Sequence, residues 1–208
     1  EEWTGTTITL NVSAEGMVRI YGNAENIQVI DAHGCMLREI DIERLSNLTI
    51  LDLSHNELER LDLTALTALQ ALYLSDNPFN REPLTVGTPK NDLAILDIGQ
   101  IDHLNQSFNL SDYPSMVAFD AWSCHDLHAL DPSGCPYLRK ISIDSTPVSS
   151  LSVADNPLLT ILNISDTGIR HIDISQNAEL QQFYCDHLSG TVNSGVRLEH
   201  LDVSNNPN

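Results

Sequence analysis

Leu48-Thr49-Ile50-Leu51-Asp52-Leu53-Ser54-His55-Asn56-Glu57-Leu58 sets apolar residues at positions 1, 4, 6 and 11 of one stretch and an asparagine at position 9. The chain continues through Glu59-Arg60-Leu61-Asp62-Leu63-Thr64, and the arrangement restarts at Leu69. Counted outward, units begin at Ile27, Leu48, Leu69, Leu93, Met116, Leu138, Leu159, Leu180 and Leu198, nine in all. Those at Ile27, Leu48, Leu138 and Leu159 keep a 21-residue period. Those at Leu69, Leu93 and Met116 run longer, and the unit at Leu180 is cut short. Chance apolar alternation would not also repeat its polar positions. The period therefore describes a solenoid, in which each unit buries its apolar face only against its neighbours.

The spacing has a direct physical meaning. Positions 4 and 6 are two apart, so on an extended segment both side chains point to one side, inward. Stacked units then form a parallel sheet with about 4.8 Å between strands. Position 9 turns the chain out of the strand, and its side chain must satisfy backbone groups inside the turn. That column reads Cys35, Asn56, Asn77, Ile101, Cys124, Thr146, Thr167, Leu188 and Asn206. Ile101 and Leu188 break it, in units of abnormal length, which predicts a remodelled turn at both. In the second half of the unit the triplet Leu61-Asp62-Leu63 recurs as Ile40-Asp41-Ile42, Leu151-Ser152-Val153 and Ile172-Asp173-Ile174. It predicts a short extended segment on the convex side. No 3.6-residue periodicity accompanies it, so few or no α-helices are expected.

The pattern L-x-x-L-x-L-x-x-N-x-L at Leu48–Leu58 is the leucine-rich-repeat signature. Leu159-Thr160-Ile161-Leu162-Asn163-Ile164 followed by Ile172-Asp173-Ile174-Ser175-Gln176-Asn177, together with Leu198-Glu199-His200-Leu201-Asp202-Val203-Ser204-Asn205-Asn206-Pro207, resembles the 21-residue repeats of internalin-J-like proteins. The repeats are also similar to those of secreted or lipid-anchored surface proteins of Bacteroides-type bacteria. The resemblance covers residues 27–208. It implies a mainly β, right-handed solenoid with a parallel sheet on one face, in a bacterial extracellular or surface-attached binding protein. Internalin-J-type repeats often carry Cys at position 6. Here only Cys185 does, so a cysteine ladder is not expected.

Lys and Arg total 10 against 29 Asp and Glu, a formal net charge of −19, and aromatic residues make up only 5% of the chain. Such a surface repels nucleic acid and anionic membrane, and it leaves the core to aliphatic side chains. No apolar run is long enough to span a bilayer; a lipid anchor would lie outside this chain. The four cysteines, Cys35, Cys124, Cys135 and Cys185, form no C-x-x-C pair, which argues against zinc or redox chemistry. Three of them fall at inward repeat positions and are expected to be buried free thiols.

The ends depart from the repeat. Thr7-Ile8-Thr9-Leu10-Asn11-Val12 and Met17-Val18-Arg19-Ile20-Tyr21-Gly22 alternate on either side of Ala14-Glu15-Gly16, which predicts a β-hairpin cap over residues 1–26 with Trp3 as an additional lid. Residues 27–208 then form one domain with that cap. No closing element is recognisable after Leu198, and an uncapped edge invites self-association. Asn80–Asp92 and Asn105–Ser115, with Pro83, Gly87, Pro89 and Pro114, are expected to be loops.

Positions 3, 5 and 7 face outward on the exposed sheet. Among them Asp31, His33, Asp52, Tyr73, Asp97, Asp120, Trp122, Tyr184 and Asp186 form the candidate ligand-binding face. Exposed aromatics beside acids are common interface anchors. Asp31–Asp52 and Asp97–Asp120 are like charges on adjacent strands, unfavourable without a compensating cation. A protein ligand is the first expectation, a glycan the alternative, and a structural spacer the third. Catalysis is not expected: Cys124-His125-Asp126 and the pair Cys185 and His187 each put the cysteine inward, away from its neighbours, and no metal-protease, hydrolase-elbow or phosphate-loop motif occurs. No cofactor and no metal are called for. Sequons at Asn11, Asn47, Asn105, Asn109 and Asn163 are coincidental if the source is bacterial, as the resemblance implies.

Overall fold

The computed structural model describes residues 26–79, 84, 86, 90–101, 103–104, 107–187 and 197–206. The expected hairpin cap, Trp3 and Leu188 lie outside the described residues. Eight three-residue strands build one parallel sheet: β1 (Val29–Asp31), β2 (Ile50–Asp52), β3 (Ala71–Tyr73), β4 (Ile95–Asp97), β6 (Ala118–Asp120), β8 (Lys140–Ser142), β9 (Ile161–Asn163) and β11 (Gln182–Tyr184). Each strand covers positions 3 to 5 of its unit, and pairing keeps equivalent positions opposite one another, as in Ile50↔Ala71 and Leu96↔Phe119. No α-helix occurs among the described residues.

Backbone bonds between rungs repeat with little variation. The position-6 amide donates to the position-5 carbonyl of the next rung, from Ala32 N–H to Asp52 (2.8 Å) through Ile164 N–H to Tyr184 (2.9 Å). The position-8 amide donates to the position-7 carbonyl of the next rung, as His55 does to Ser75 (2.8 Å) and Gln100 to Trp122 (2.7 Å). To make that bond, position 8 adopts a left-handed backbone in rung after rung: Gly34, His55, Asp76, Gln100, Ser123, Ser145 and Asp166 all have φ between 54° and 63°. Only Gly34 is a glycine. Every other rung carries a left-handed residue that is about 1–2 kcal/mol less favourable than a right-handed one, so the cross-rung bonds must outweigh it.

The inward side chains fill a continuous aliphatic core. Leu51, Leu53, Leu72, Leu74, Leu96, Ile98, Phe119, Ala121, Ile141, Ile143 and Leu162 are fully buried. The position-9 ladder forms as expected. Asn77 Nδ2 donates to the carbonyls of Leu53 (2.8 Å) and Leu74 (2.9 Å), and its Oδ1 accepts Leu58 N–H (3.1 Å). Cys124 Sγ reaches Ile98 O at 3.0 Å, and the Thr146 and Thr167 hydroxyls donate to Ile143 O and Ile164 O. At Ile101 the turn is not remodelled. Gln100 keeps the left-handed φ, the amide bond to the next rung is intact, and Ile101 is simply buried. The turn is made by the backbone, and the ladder side chain adds to it.

A second ladder, unforeseen from the sequence, runs three positions before each unit start. Its column is Leu45, Leu66, Lys90, Tyr113, Cys135, Asn156 and Asn177, all buried. Asn156 Nδ2 donates to Pro132 O and Cys135 O, and Asn177 Nδ2 to Val153 O and Asn156 O, each at 2.8–2.9 Å. Lys90 does the same work with an ammonium, bonding Leu63 O (3.0 Å) and Leu66 O (2.9 Å). Burial holds its pKa below the ordinary lysine value.

Three further expectations are corrected. The segment at Leu198 does not add a ninth strand to the sheet; its strand β12 (His200–Asp202) pairs with β10 (His171–Asp173) on the convex side. Leu201-Asp202-Val203 therefore matches the second-half triplet Ile172-Asp173-Ile174, and Asn206 joins the second ladder by donating to Ile174 O (2.8 Å). The two half-units look alike because both are apolar–polar–apolar followed by a polar turn. Within Asn105–Ser115, expected to be a loop, lie β5 (Ser107–Asn109), paired with β7 (Ala129–Asp131), and a 3-10 turn at Leu110–Asp112. Of the cysteines, Cys124 and Cys135 are buried and Cys35 is half-buried, whereas Cys185 is exposed. Cys185 is inward in pattern, but it follows β11, the last strand of the sheet among the described residues.

Candidate binding face

Strand pairing brings the predicted residues onto one surface. Asp31↔Asp52, Asp52↔Tyr73, Tyr73↔Asp97 and Asp97↔Asp120 are register partners, so position 5 forms a continuous row across the sheet. Tyr73 separates two acidic pairs. Tyr184 stands in the same row at its far end, 44% exposed, and Asp186 beside it is also exposed. His33 and Trp122 lie in the adjacent row at position 7. The candidates thus share a face but do not converge on a point.

Much of the acidity has a local cause. In Asp31, Asp52 and Asp97 the Oδ1 atom accepts the backbone N–H two positions on, from His33 (3.2 Å), Ser54 (3.0 Å) and Gly99 (3.1 Å), and Asn163 does the same for Ser165 (3.1 Å). These are Asx turns that lead the chain out of the strand. The convex triplets repeat the device: Asp62, Asn109, Asp131, Asp173 and Asp202 accept the amides of Thr64, Ser111, Ser133, Ser175 and Ser204 at 2.8–3.0 Å. Hydrogen bonds from Thr64, Ser133 and Ser204 hold the Asp62, Asp131 and Asp202 carboxyls below the usual range. The recurring D-x-S/T spacing was the available signal, and an outward-facing count of acids overlooks it.

Asp120 is the exception in its row. Its carboxylate is mostly covered and pairs with Lys140 Nζ at 2.7 Å. Burial raises its pKa, opposed by Lys140 and reinforced by the neighbouring Asp97 and Asp144. Lys140 is therefore the compensating cation that the Asp97–Asp120 pair requires. No ion pair between described residues reaches Asp31, Asp52 or Asp97.

Trp122 has a prepared seat. A Cβ added to Gly99 would lie 2.1 Å from Trp122 Nε1 and 2.5 Å from Cδ1 and Cε2. The indole therefore lies across the backbone of the preceding rung in space that only glycine leaves, and it stays half-exposed. Beside the aromatic row, position 3 supplies an apolar column with Val29 (54% exposed), Ile50 (37% exposed) and the half-buried Ile95, Ala118 and Ile161.

At the first rungs, His33 Nδ1 lies 2.9 Å from Ser54 Oγ, whose hydroxyl donates to Asp52 Oδ1 at 2.5 Å. The residue types are those of a hydrolytic triad, but the serine stands between the histidine and the aspartate. The serine hydroxyl bonds the carboxylate directly, which is not the order of a triad, where the histidine stands between the nucleophile and the acid. His33 and His55 meet edge to face at 4.9 Å, and His55 bonds Asp76 at 2.7 Å. Among the described residues no group of three His, Cys, Asp or Glu side chains is placed to hold a metal ion, and no helix is long and apolar enough to cross a membrane.

A family model described as leucine rich repeat matches residues 37–79. No curated protein sequence matches the chain. Among solved structures, the functional domain of InlJ from Listeria monocytogenes, which includes a cysteine ladder, is 16% identical, with a TM-score of 0.55 over 88% of this chain and 54% of that one. Internalin C2 from Listeria monocytogenes is 20% identical, with a TM-score of 0.59 over 86% of this chain and 81% of that one. A leucine-rich-repeat protein of Leptospira interrogans is 18% identical, with a TM-score of 0.50 over 78% of this chain and 50% of that one. The chain thus spans about half the length of the InlJ and Leptospira proteins. The shared fold is the leucine-rich-repeat solenoid of the internalins.

Proposed function

We propose that this leucine-rich-repeat solenoid is a non-enzymatic binding module, secreted or held at a bacterial surface, which recognises a protein ligand through its exposed sheet. The observation that carries the reading is the seating of Trp122 on Gly99. An outward glycine shaped to receive an outward indole serves no core, and it presents a large, ordered, half-exposed aromatic in the middle of a rigid face. Tyr73 and Tyr184 extend that face along the position-5 row, and the apolar column at position 3 flanks it. Large aromatics that lose little freedom on binding are the usual anchors of protein interfaces. The internalin-like fold agrees with a binding role and with an extracellular setting.

The test is pull-down from extracellular and surface protein fractions, followed by affinity measurement on the captured protein. The double variant Trp122→Ala with Tyr184→Ala is expected to weaken binding at least tenfold while leaving the unfolding transition cooperative. Unchanged affinity would remove this face from consideration. A glycan ligand is favoured by one feature, the flat indole beside carboxylates, and a glycan array distinguishes it directly.

A further inference from the structure

The middle of the sheet face has an unbalanced charge pattern around its aromatic platform. Asp97 lies on the strand before Trp122 and Asp120 on the strand that leads into it. Asp144 follows on the next rung at the same position 7 as Trp122. Lys140 is the one ammonium among them, and it is engaged with Asp120. Asp97 accepts Gly99 N–H (3.1 Å) and the Ser75 hydroxyl (3.1 Å), while Asp144 accepts the Ser142 hydroxyl (3.0 Å) and Asn163 Nδ2 (2.9 Å). Neutral donors such as these orient a carboxylate without discharging it. The result is a fixed aromatic surface, next to the apolar position-3 column, with negative charge in place on both sides.

We propose that this region docks a basic segment of a protein partner, with one arginine or lysine side chain lying over Trp122 between Asp97 and Asp144 and apolar neighbours of that residue resting on Ile95 and Ala118. A guanidinium suits the seat on two counts: its plane stacks on an indole, and its edges donate to carboxylates. An acidic segment would be repelled by the same carboxylates, and a neutral one would draw nothing from them. Lys140 acts in this arrangement as an internal competitor for the partner's cation. The proposal rests on the sheet-face reading above and adds the chemistry of the partner to it.

The probe is fluorescein-labelled nona-arginine, followed by anisotropy against the full chain at 150 mM salt (about physiological), with nona-glutamate as the opposite-charge control. A Trp3→Phe background makes Trp122 the sole tryptophan, so its emission reports whether the peptide reaches the platform. Saturable binding that moves Trp122 emission is expected with nona-arginine and absent with nona-glutamate. Trp122→Leu and the pair Asp97→Asn with Asp144→Asn are each expected to weaken binding at least tenfold. Asparagine at 97 can accept the turn bond, as Asn163 does, and at 144 its Oδ1 can accept the Ser142 and Asn163 side chains, so folding is preserved and is checked by urea unfolding. Lys140→Gln is expected to tighten binding several-fold. Asp131→Asn with Asp173→Asn removes the same two charges from the convex side and should change affinity less than twofold. Equal weakening by the convex pair, or undisturbed binding to Trp122→Leu, would overturn the proposal. A captured natural ligand that needs Trp122 and Tyr184 but ignores Asp97, Asp144 and salt would refute the basic partner while leaving the sheet-face reading intact.

Discussion

Gly99→Ala adds one methyl group to an outward-facing position and should nonetheless be among the costlier single changes on the sheet face. Gly99 does not adopt the left-handed backbone, so alanine brings no strain of its own there. The whole effect comes from the new Cβ, 2.1 Å from Trp122 Nε1 and 2.5 Å from two further ring atoms. Ordinary contact needs roughly 3.5 Å, so the indole must lift by about 1–1.5 Å or swing away. A tryptophan side chain buries on the order of 200 Å² when fully covered, and a half-exposed one rests on roughly half of that. At about 25 cal/mol per Å² the seat accounts for about 2.5 kcal/mol, part of which the ring regains wherever it settles. The expected destabilisation is therefore about 1–2.5 kcal/mol, or a Tm lowered by about 2–10 °C for a chain of this size. Urea unfolding in the Trp3→Phe background measures it, and a red shift of native Trp122 emission reports the displaced ring. In a Trp122→Ala background the same Gly99→Ala change should cost less than about 0.5 kcal/mol, because the three nearest atoms to the new Cβ all belong to that indole. A loss of the same size in both backgrounds would show that Gly99 serves the backbone and would refute the seat.

Other outcomes follow from the same geometry. Asn177→Ala deletes two side-chain bonds to buried carbonyls and leaves each with its backbone donor alone, Asn156 N–H on Val153 O and Leu159 N–H on Asn156 O, so a loss of about 1–3 kcal/mol is expected in urea unfolding. Lys90→Met removes a buried ammonium whose folded pKa is depressed. Because the unfolded chain binds that proton more tightly, wild-type stability should gain as pH rises toward the ordinary lysine value near 10.4, and the variant should lack this contribution, as unfolding series across that range would reveal. Asp131→Asn keeps its turn, as Asn109 shows, but removes a carboxyl whose pKa lies below the usual range. Tm at neutral pH should move by no more than about 2 °C, while the fall in stability below about pH 4 becomes shallower. With a thiol-specific disulfide reagent, Cys185 should react in the folded protein. Cys124 and Cys135, the latter with a pKa pushed up to about 11 by burial, should react only on unfolding.

The fold was legible because its signal is redundant: an apolar period, a small polar column and a terminal asparagine all repeat together. Where two half-units share one pattern, that redundancy fails. Leu201-Asp202-Val203 satisfies the strand template and the convex template equally well, and only cross-rung pairing with His171–Asp173 decides between them. Lys90 was hidden for a different reason. Its segment carries an insertion, and a lysine gives no hint that its ammonium will replace an asparagine amide against Leu63 O and Leu66 O. The face itself was readable residue by residue, since period two fixes what points outward. What an outward residue does was not readable. The role of Gly99 depends on the side chain of Trp122 in the next rung, a full repeat later in the chain.

Backbone and face carry separate duties in this solenoid. The cross-rung amide bonds and the left-handed position 8 persist through units of unequal length and through the ladder break at Ile101. The backbone therefore holds the solenoid with little help from positions 3, 5 and 7, which leaves those positions open to selection for binding. Asp31, Asp52, Asp97 and Asn163 are partly committed, since each closes a turn. Their presence alone is weak evidence of a ligand. Trp122 closes no turn and fills no core, yet the preceding rung gives up a side chain to receive it. A scaffold whose turns and core do not use this side chain has still been shaped around it, and that concession makes the centre of the sheet, more than its total charge, the strongest structural argument for a ligand.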